Sequence, residues 1–520
     1  MIAFLADENM KRMIPVLLIL LSTFLLFYRL EALSLSVDEF VNVGIDLHPP
    51  TDILALLREG ADLHPPLTHW LSHAWIQLFG ESEWALRSIW SLCSVVTVAL
   101  TYRLGVTLGN RRSSLWGALL LVTSPTFLLY ARFVKYYALT MLLAMALILA
   151  FYYLRKSPAR RLFFLYTFLL TAFLYTDYFG PVLSILWQDL FALWQFLRRP
   201  TSQERGFLKR LLGAQMVTGL LWSPWFIVAL AQVKGVAGLQ EADIGRGPLS
   251  FALKTIYAHY SFALGETILP WNLVALLGGI AFLAGWGSGL AVLISRSDSL
   301  AVWTGSFSFL SMGLSAGLTS SIITGVPFIA FANHILFAFP PFLLWLAAGI
   351  SALRQRAFRW FTLGLLLASH VAGVLNYFTG REFHNPIYAV PTRDIVAQLA
   401  KETEPDDIVL AATDIGIDFY ASRTSDWIAP ILDTSDPQTV ERLQDALPPR
   451  IWLFIFGRDR TREVTPTALQ NFINDHCTLV EARGYVEQDS LLRSLKEWLF
   501  RRPAYQYKLS LYVYECPGGP

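Results

Sequence analysis

Asp38 and Glu39 stand side by side in SLSVDEFVNVG, just after the first apolar run of the chain. Paired carboxylates where a membrane helix surfaces cost desolvation free energy and need a reason to be there. One reason is general-base catalysis, in which a carboxylate takes the proton of an attacking hydroxyl within hydrogen-bond reach. Adjacent side chains diverge on most backbones, so the two acids are expected to have different jobs. The bland alternative is a solvated pair that caps a helix. A second group lies in DLHPPLTHWLSH, with Asp62, His64, His69 and His73. His69 and His73 are four residues apart and share a helix face. A zinc peptidase would need HExxH, and Trp70 occupies the place of the Glu, so the pair reads as interfacial side chains. His64, at the start of that helix, is expected to face the same pocket as Asp38.

ARFVKYYAL supplies Arg132, Lys135 and Tyr136 at i, i+3 and i+4, on one face at the outer end of a span. Two cations there suit a phosphate, Arg as a bidentate fork and Lys as a point charge; snorkelling to lipid headgroups is the competing explanation. TDYFG places Asp177 before Gly180 and Pro181, either in the site or in a tight turn. Asn333 and His334 open a helix in ANHILFAFPPFLLWLAAG, either touching a headgroup or capping the span. His259, Tyr260 and Glu266 form a weaker set in the loop 233–269.

These residues need a scaffold in lipid. Of 520 residues, 54% are hydrophobic and only 15% are charged, against about 25% in soluble domains. The net charge of +2 excludes nothing, but the lack of a basic cluster interleaved with aromatics argues against a nucleic-acid partner. Runs of about 20 apolar residues mark about eleven spans, near 13–30, 84–108, 113–131, 136–154, 162–178, 180–197, 211–232, 270–295, 300–321, 334–352 and 358–378. The uncharged run 299–333 exceeds one span and is expected to hold a re-entrant piece. The first run lacks a small-residue cleavage site and reads as an uncleaved helix.

Lys11 and Arg12, Arg111 and Arg112, the 155–161 cluster, the 198–210 cluster and Arg354 to Arg359 fall on one side if the N-terminus is cytoplasmic. That topology puts Asp38, residues 132–136 and everything after 380 outside the cytoplasm. Between 31 and 83, two LHPP starts head two short amphipathic stretches, with proline in the first helical turn; they read as helices lying in the interface. The expected division is a catalytic membrane domain, 1–380, and a soluble domain, 381–520. In the latter, strands at 406–412, 450–457 and 507–516 alternate with helices at 394–402 and 491–498, the pattern of a small α/β domain. Cys477 and Cys516 both lie in it, either as a disulfide or as two thiols.

VDEF after the first span, HPPL in the first outer loop, ARFVKYYAL, YTDYFG and the NHILFAFPPFLLWLAAG helix resemble, in order and placement, the GT-C glycosyltransferases that use lipid-linked sugars. The likeness is to the dolichyl-phosphate-mannose protein mannosyltransferases and the bacterial aminoarabinose transferases. It implies a polytopic helical membrane protein that moves a sugar from a polyprenyl-phosphate donor to a hydroxyl of a glycan, lipid or protein acceptor, with inversion, on the outer face of a bacterial-type plasma membrane. By the same resemblance Asp38 matches the catalytic acid with Glu39 beside it, His64 the HPPL position, and Arg132 and Tyr136 the donor-phosphate patch. Asp177 stands where histidine is common, and Asn333 where arginine is common. No cofactor is required, although Glu39 and His64 leave room for a divalent metal. The competing functions are a flippase for lipid-linked sugars, which predicts midplane charge and repeated halves, and an oligosaccharide ligase with a pyrophosphate donor.

Overall fold

The computed structural model describes residues 8–237, 246–412, 416–457, 466–487, 489–500 and 508–517. The chain forms two compact units, one of Met1–Leu30 with Asn42–Arg381, the other of Glu31–Val41 with Glu382–Pro520. The first is helical. Its elements are α1 (Glu8–Phe27), α2 (Val37–Asp46), which begins in the second unit, α3 (Pro50–Glu59), α4 (Leu67–Phe79), α5 (Glu83–Thr107), α6 (Arg111–Thr123), α7 (Pro125–Ala131) and α8 (Tyr137–Lys156). There follow α9 (Arg160–Leu174), α10 (Phe179–Arg198), α11 (Ser202–Ala237), α12 (Pro248–Ala263), α13 (Leu273–Ser295), α14 (Ser299–Thr319), α15 (Phe339–Ala352) and α16 (Arg356–Thr379).

Among the described residues six helices are long and apolar enough to cross a membrane, or seven if α6 and α7 count as one bent span. Each of the eleven expected spans is helical, but several fall short of that length or apolarity. The α6–α7 break has a clear local cause. Ser124 is extended and its hydroxyl caps Phe127, while Pro125 opens the new helix, so the axis turns by 62°. An additional helix, α12, lies inside what reads as loop 233–269. The run 299–333 resolves into α14, an irregular segment and the start of a 3-10 turn, Ala332–Ala338.

Backbone proximity holds the interior of the helical unit together. A Cβ on Gly349 would meet the backbone of Gly285 and Gly289, so α13 and α15 pack at a distance that only small residues allow. Trp345 fills the neighbouring space against Gly289 and Gly305, and its indole N–H donates to the Gly289 carbonyl. In the first loop the two proline starts do form helices. Pro50 sits in the first turn of α3 and Gly60 ends it at φ 91°. Ile53 and Leu57 of α3 pack on Trp225 and Ala229 of α11, which fastens the loop to the bundle.

The second unit is α/β. It adds α17 (Thr392–Glu402), β1 (Ile408–Ala411), α18 (Ile417–Ala421), β2 (Ile431–Asp433), α19 (Gln438–Asp445), β3 (Arg450–Gly457), α20 (Thr467–His476), β4 (Thr478–Glu487), α21 (Ser490–Phe500) and β5 (Lys508–Glu515). The strand order is β2-β1-β3-β5-β4. β1 runs parallel to β2 and β3, whereas β5 is antiparallel to β3 and β4. Leu410, Ile451, Leu453 and Ile473 are core residues. A disulfide joins Cys477, at the end of α20, to Cys516 after β5. It closes a separation of 39 residues, which in the chain-entropy account contributes roughly 4 kcal/mol.

Candidate active site

The acidic pair separates as adjacent side chains should. Ser36 is the cap of α2. Its N–H donates to Glu39 Oε2 at 2.9 Å and the Glu39 N–H donates to Ser36 Oγ at 3.4 Å. This reciprocal pair is a capping box, and Glu39 is buried in it. Asp38 is half-buried in the same first turn. Phe40 packs edge-on against Phe419 and Tyr420, so the loop 31–41 is built into the second unit. The Leu35 N–H donates to the Tyr420 hydroxyl at 2.8 Å.

In the helical unit, a cavity of about 220 Å³ gathers residues from six separate segments. His64 comes from the first loop, Tyr136 from the α7–α8 turn, Asp177 and Tyr178 from the α9–α10 turn, and His334 from the 3-10 turn before α15. Gln232 of α11 and the irregular stretch at Ile323, Gly325, Val326 and Pro327 complete the wall. His64 stacks on Tyr136 with ring centres 4.1 Å apart, and its Nδ1 meets Asp62 Oδ1 at 2.8 Å. That contact orients the imidazole and leaves Nε2 as the ring nitrogen available for other work. Asp177 Oδ2 accepts the Gly180 N–H at 2.7 Å, so this acid both starts α10 and lines the cavity. A side chain at Gly180 would strike the Phe173 ring and the Asp177 carboxylate, which explains the glycine.

Behind His64 lies a closed ion cluster. Asp62 Oδ2 meets His69 Nε2 at 3.1 Å, and Asp46 Oδ1 meets His69 Nδ1 at 2.6 Å. His73 Nδ1 donates to the Asp46 backbone carbonyl at 2.9 Å. His69 is therefore not an interfacial side chain, being 1% exposed, whereas His73 is half-buried. Burial disfavours the charged imidazole of His69, but hydrogen bonds from Asp46 and Asp62 outweigh it and raise its pKa to about 9. Burial also works to raise Asp62, but attraction and hydrogen bonds from His64 and His69 prevail and hold it well below the usual carboxylate range. Asp46 is raised, burial outweighing its contact with His69. Gln232 ties the cluster to α11, its amide N–H groups donating to the carbonyls of Leu57 and Asp62, while its Oε1 accepts the Tyr178 hydroxyl.

The family described as dolichyl-phosphate-mannose-protein mannosyltransferase matches residues 63–227. That stretch holds His64, Arg132, Lys135, Tyr136 and Asp177. No curated protein sequence matches the chain. The apo crystal structure of ArnT from Cupriavidus metallidurans superposes with a TM-score of 0.56 at 12% identity, covering 96% of this chain and 97% of that one. The structure of the same protein bound to undecaprenyl phosphate gives 0.53 at 11% identity, covering 97% and 99%. The chain therefore shares the fold of this ArnT, and its residues 63–227 match the mannosyltransferase family.

Within this fold the two cations of ARFVKYYAL are placed differently. Arg132 is 1% exposed, is not among the cavity-lining residues, and donates to the carbonyls of Tyr28 and Arg29 just beyond α1. Its guanidinium carbon lies 5.4 Å from the ring centres of both Tyr377 and Phe378. Lys135 is half-buried beside Tyr136 and sits 5.8 Å from the Tyr137 ring centre. For a metal the fit is poor. Glu39 serves its own cap, His64 Nδ1 serves Asp62, and no group of three acid, histidine or cysteine side chains among the described residues could hold a cation. Reading the sequence singled out Asp177 and not Tyr178 within TDYFG, did not find Gln232 or the 323–327 stretch, because neither has a motif, and did not find Asp46, which lies 23 residues from its histidine.

Proposed function

We propose that this protein is a GT-C glycosyltransferase that moves a sugar from a polyprenyl-phosphate donor to an acceptor hydroxyl on the extracytoplasmic face, inverting the anomeric centre. The observation that carries the reading is the convergence of His64, Tyr136, Asp177 and His334 on one cavity. The fold shared with ArnT, which has been solved with undecaprenyl phosphate, supports the donor class. The disulfide is consistent with a second unit outside the cytoplasm.

In this mechanism the donor phosphate lies near Lys135, Tyr136 and the cavity histidines, and Arg132 braces the wall. Asp38 takes the acceptor proton, since Glu39 beside it is committed to the helix cap. The acceptor oxygen forms its bond to the anomeric carbon as the bond from that carbon to the phosphate oxygen breaks. The electron pair leaves with the polyprenyl phosphate. Groups poised for the charge that develops on that phosphate supply the larger electrostatic contribution.

The test is Asp38→Asn, assayed on a polyprenyl-phosphate sugar. Loss of a general base lowers kcat/KM by about 10²–10⁴-fold, with the melting curve unchanged. Transfer at the wild-type rate would remove Asp38 from the chemistry.

A further inference from the structure

At the other end of α10 from the cavity is a second cleft, of about 540 Å³, between α10, α13 and α14. Asp177 to Phe179 line the cavity at the start of this 20-residue helix and Trp187 to Trp194 line the cleft towards its end, so the far rim is about 25 Å away at 1.5 Å per residue. The cleft wall is apolar except at Ser306 and Arg296. Ser306 is already engaged, accepting the Trp187 indole N–H at 2.9 Å and donating to the Val302 carbonyl.

The rim carries charge. Arg198 and Arg296 both stack on Trp194, their guanidinium carbons 4.8 and 5.0 Å from its ring centre. Two like charges on one indole repel, and neither arginine makes an ion pair among the described residues. Nearby acids are used elsewhere: Asp298 caps α14, Glu204 pairs with Arg155, and Asp189 accepts from Gln215. Helix dipoles account for a cation at the end of each helix, but not for the backbone at Arg296. That residue ends α13 at φ 53°, ψ 31°, a left-handed position that favours glycine. The strained conformation brings a second guanidinium to the tryptophan.

We propose that this cleft binds an anionic glycerophospholipid, with its phosphate between Arg198 and Arg296 and one acyl chain along Phe191, Leu293 and Leu310. Arginine forks match phosphate oxygens, and basic pockets between membrane helices are suited to anionic headgroups. The phosphate supplies the counter-charge that the two guanidinium groups lack. The site is separate from the cavity and does not depend on the transfer reaction proposed above.

The full chain, purified from membranes and examined by native mass spectrometry with added phosphatidylglycerol, phosphatidylcholine or polyprenyl phosphate, tests the site. Wild type is expected to retain phosphatidylglycerol over phosphatidylcholine by roughly tenfold or more, the scale of two arginines at an anionic surface. Arg296→Gly relieves the left-handed backbone, so it should fold and melt at least as well as wild type while losing most of that preference. Arg198→Gln should do the same to the preference, and Arg199→Ala, off the cleft, should leave it intact. Equal retention of the two glycerophospholipids, or an unchanged preference in Arg296→Gly, overturns the proposal. Displacement of phosphatidylglycerol by polyprenyl phosphate overturns the choice of occupant.

Discussion

His64 and His69 are five residues apart in one loop and have opposite environments. Both nitrogens of His69 face carboxylates and the ring is buried. His64 gives one nitrogen to Asp62, stacks on Tyr136 and lines a cavity. Asp62 belongs to both arrangements. A titratable side chain enclosed by partners holds shape, whereas one with an edge on a cavity can meet a substrate. Spacing cannot separate these cases, because His64 opens HPPL and His69 follows it by only two residues.

Removing one side of the comparison should damage the fold and removing the other should damage turnover. His69→Ala leaves Asp46 and Asp62 facing each other without their cation. Loss of one partner from a buried ion cluster costs about 3–5 kcal/mol, read as a large fall in the melting temperature. His64→Ala should lower transfer at least tenfold, about 1.4 kcal/mol of transition-state stabilisation, while the melting temperature moves little. If the two variants exchange these phenotypes, the division of labour is wrong.

The pH dependence sharpens the same contrast. His69 is raised from an ordinary 6.5 to about 9 in the folded chain. Its stabilisation is complete below 6.5 and is lost as pH rises through about 9. Asp62, held low, contributes above the ordinary carboxylate range and loses its contribution on acidification, while the raised Asp46 acts in the opposite sense. Wild-type stability should therefore decline between about pH 6.5 and 9, and His69→Gln should flatten that decline in a melting series.

A smaller effect separates the cations. Arg132→Ala removes hydrogen bonds to two carbonyls and a buried aromatic contact, and should cost about 1–3 kcal/mol with the donor KM little changed. Lys135→Ala should raise the donor KM and leave the melting temperature within about 0.5 kcal/mol. A rise in donor KM for Arg132→Ala alone would return the phosphate to the arginine.

Much of the scaffold was legible because long apolar runs mark helices. The runs at 84–108 and 136–154 lie within a few residues of α5 and α8. α12 was missed because Lys254, His259 and Tyr260 interrupt its apolar pattern. In the second unit the expected strands at 406–412 and 450–457 contain β1 and β3, whereas β4 carries Glu481 and Arg483 and reads as charged loop. Ser36 and Glu39 spell a capping box that could have been read locally. The site itself was only half legible. His64, Tyr136, Asp177 and His334 could each be chosen by chemistry, but their meeting depends on helix packing, as do Gln232 and the irregular wall at 323–327.

The loop that bears Asp38 is fastened by residues translated far later. Leu35 waits for Tyr420, 385 positions on, and Ser34 Oγ accepts from the Arg393 backbone. At about 5–20 residues per second, a ribosome needs on the order of 20–80 s to make that intervening chain. Nascent protein therefore carries an unfinished acidic loop until the last quarter has emerged, so a stalled or clipped product never assembles it.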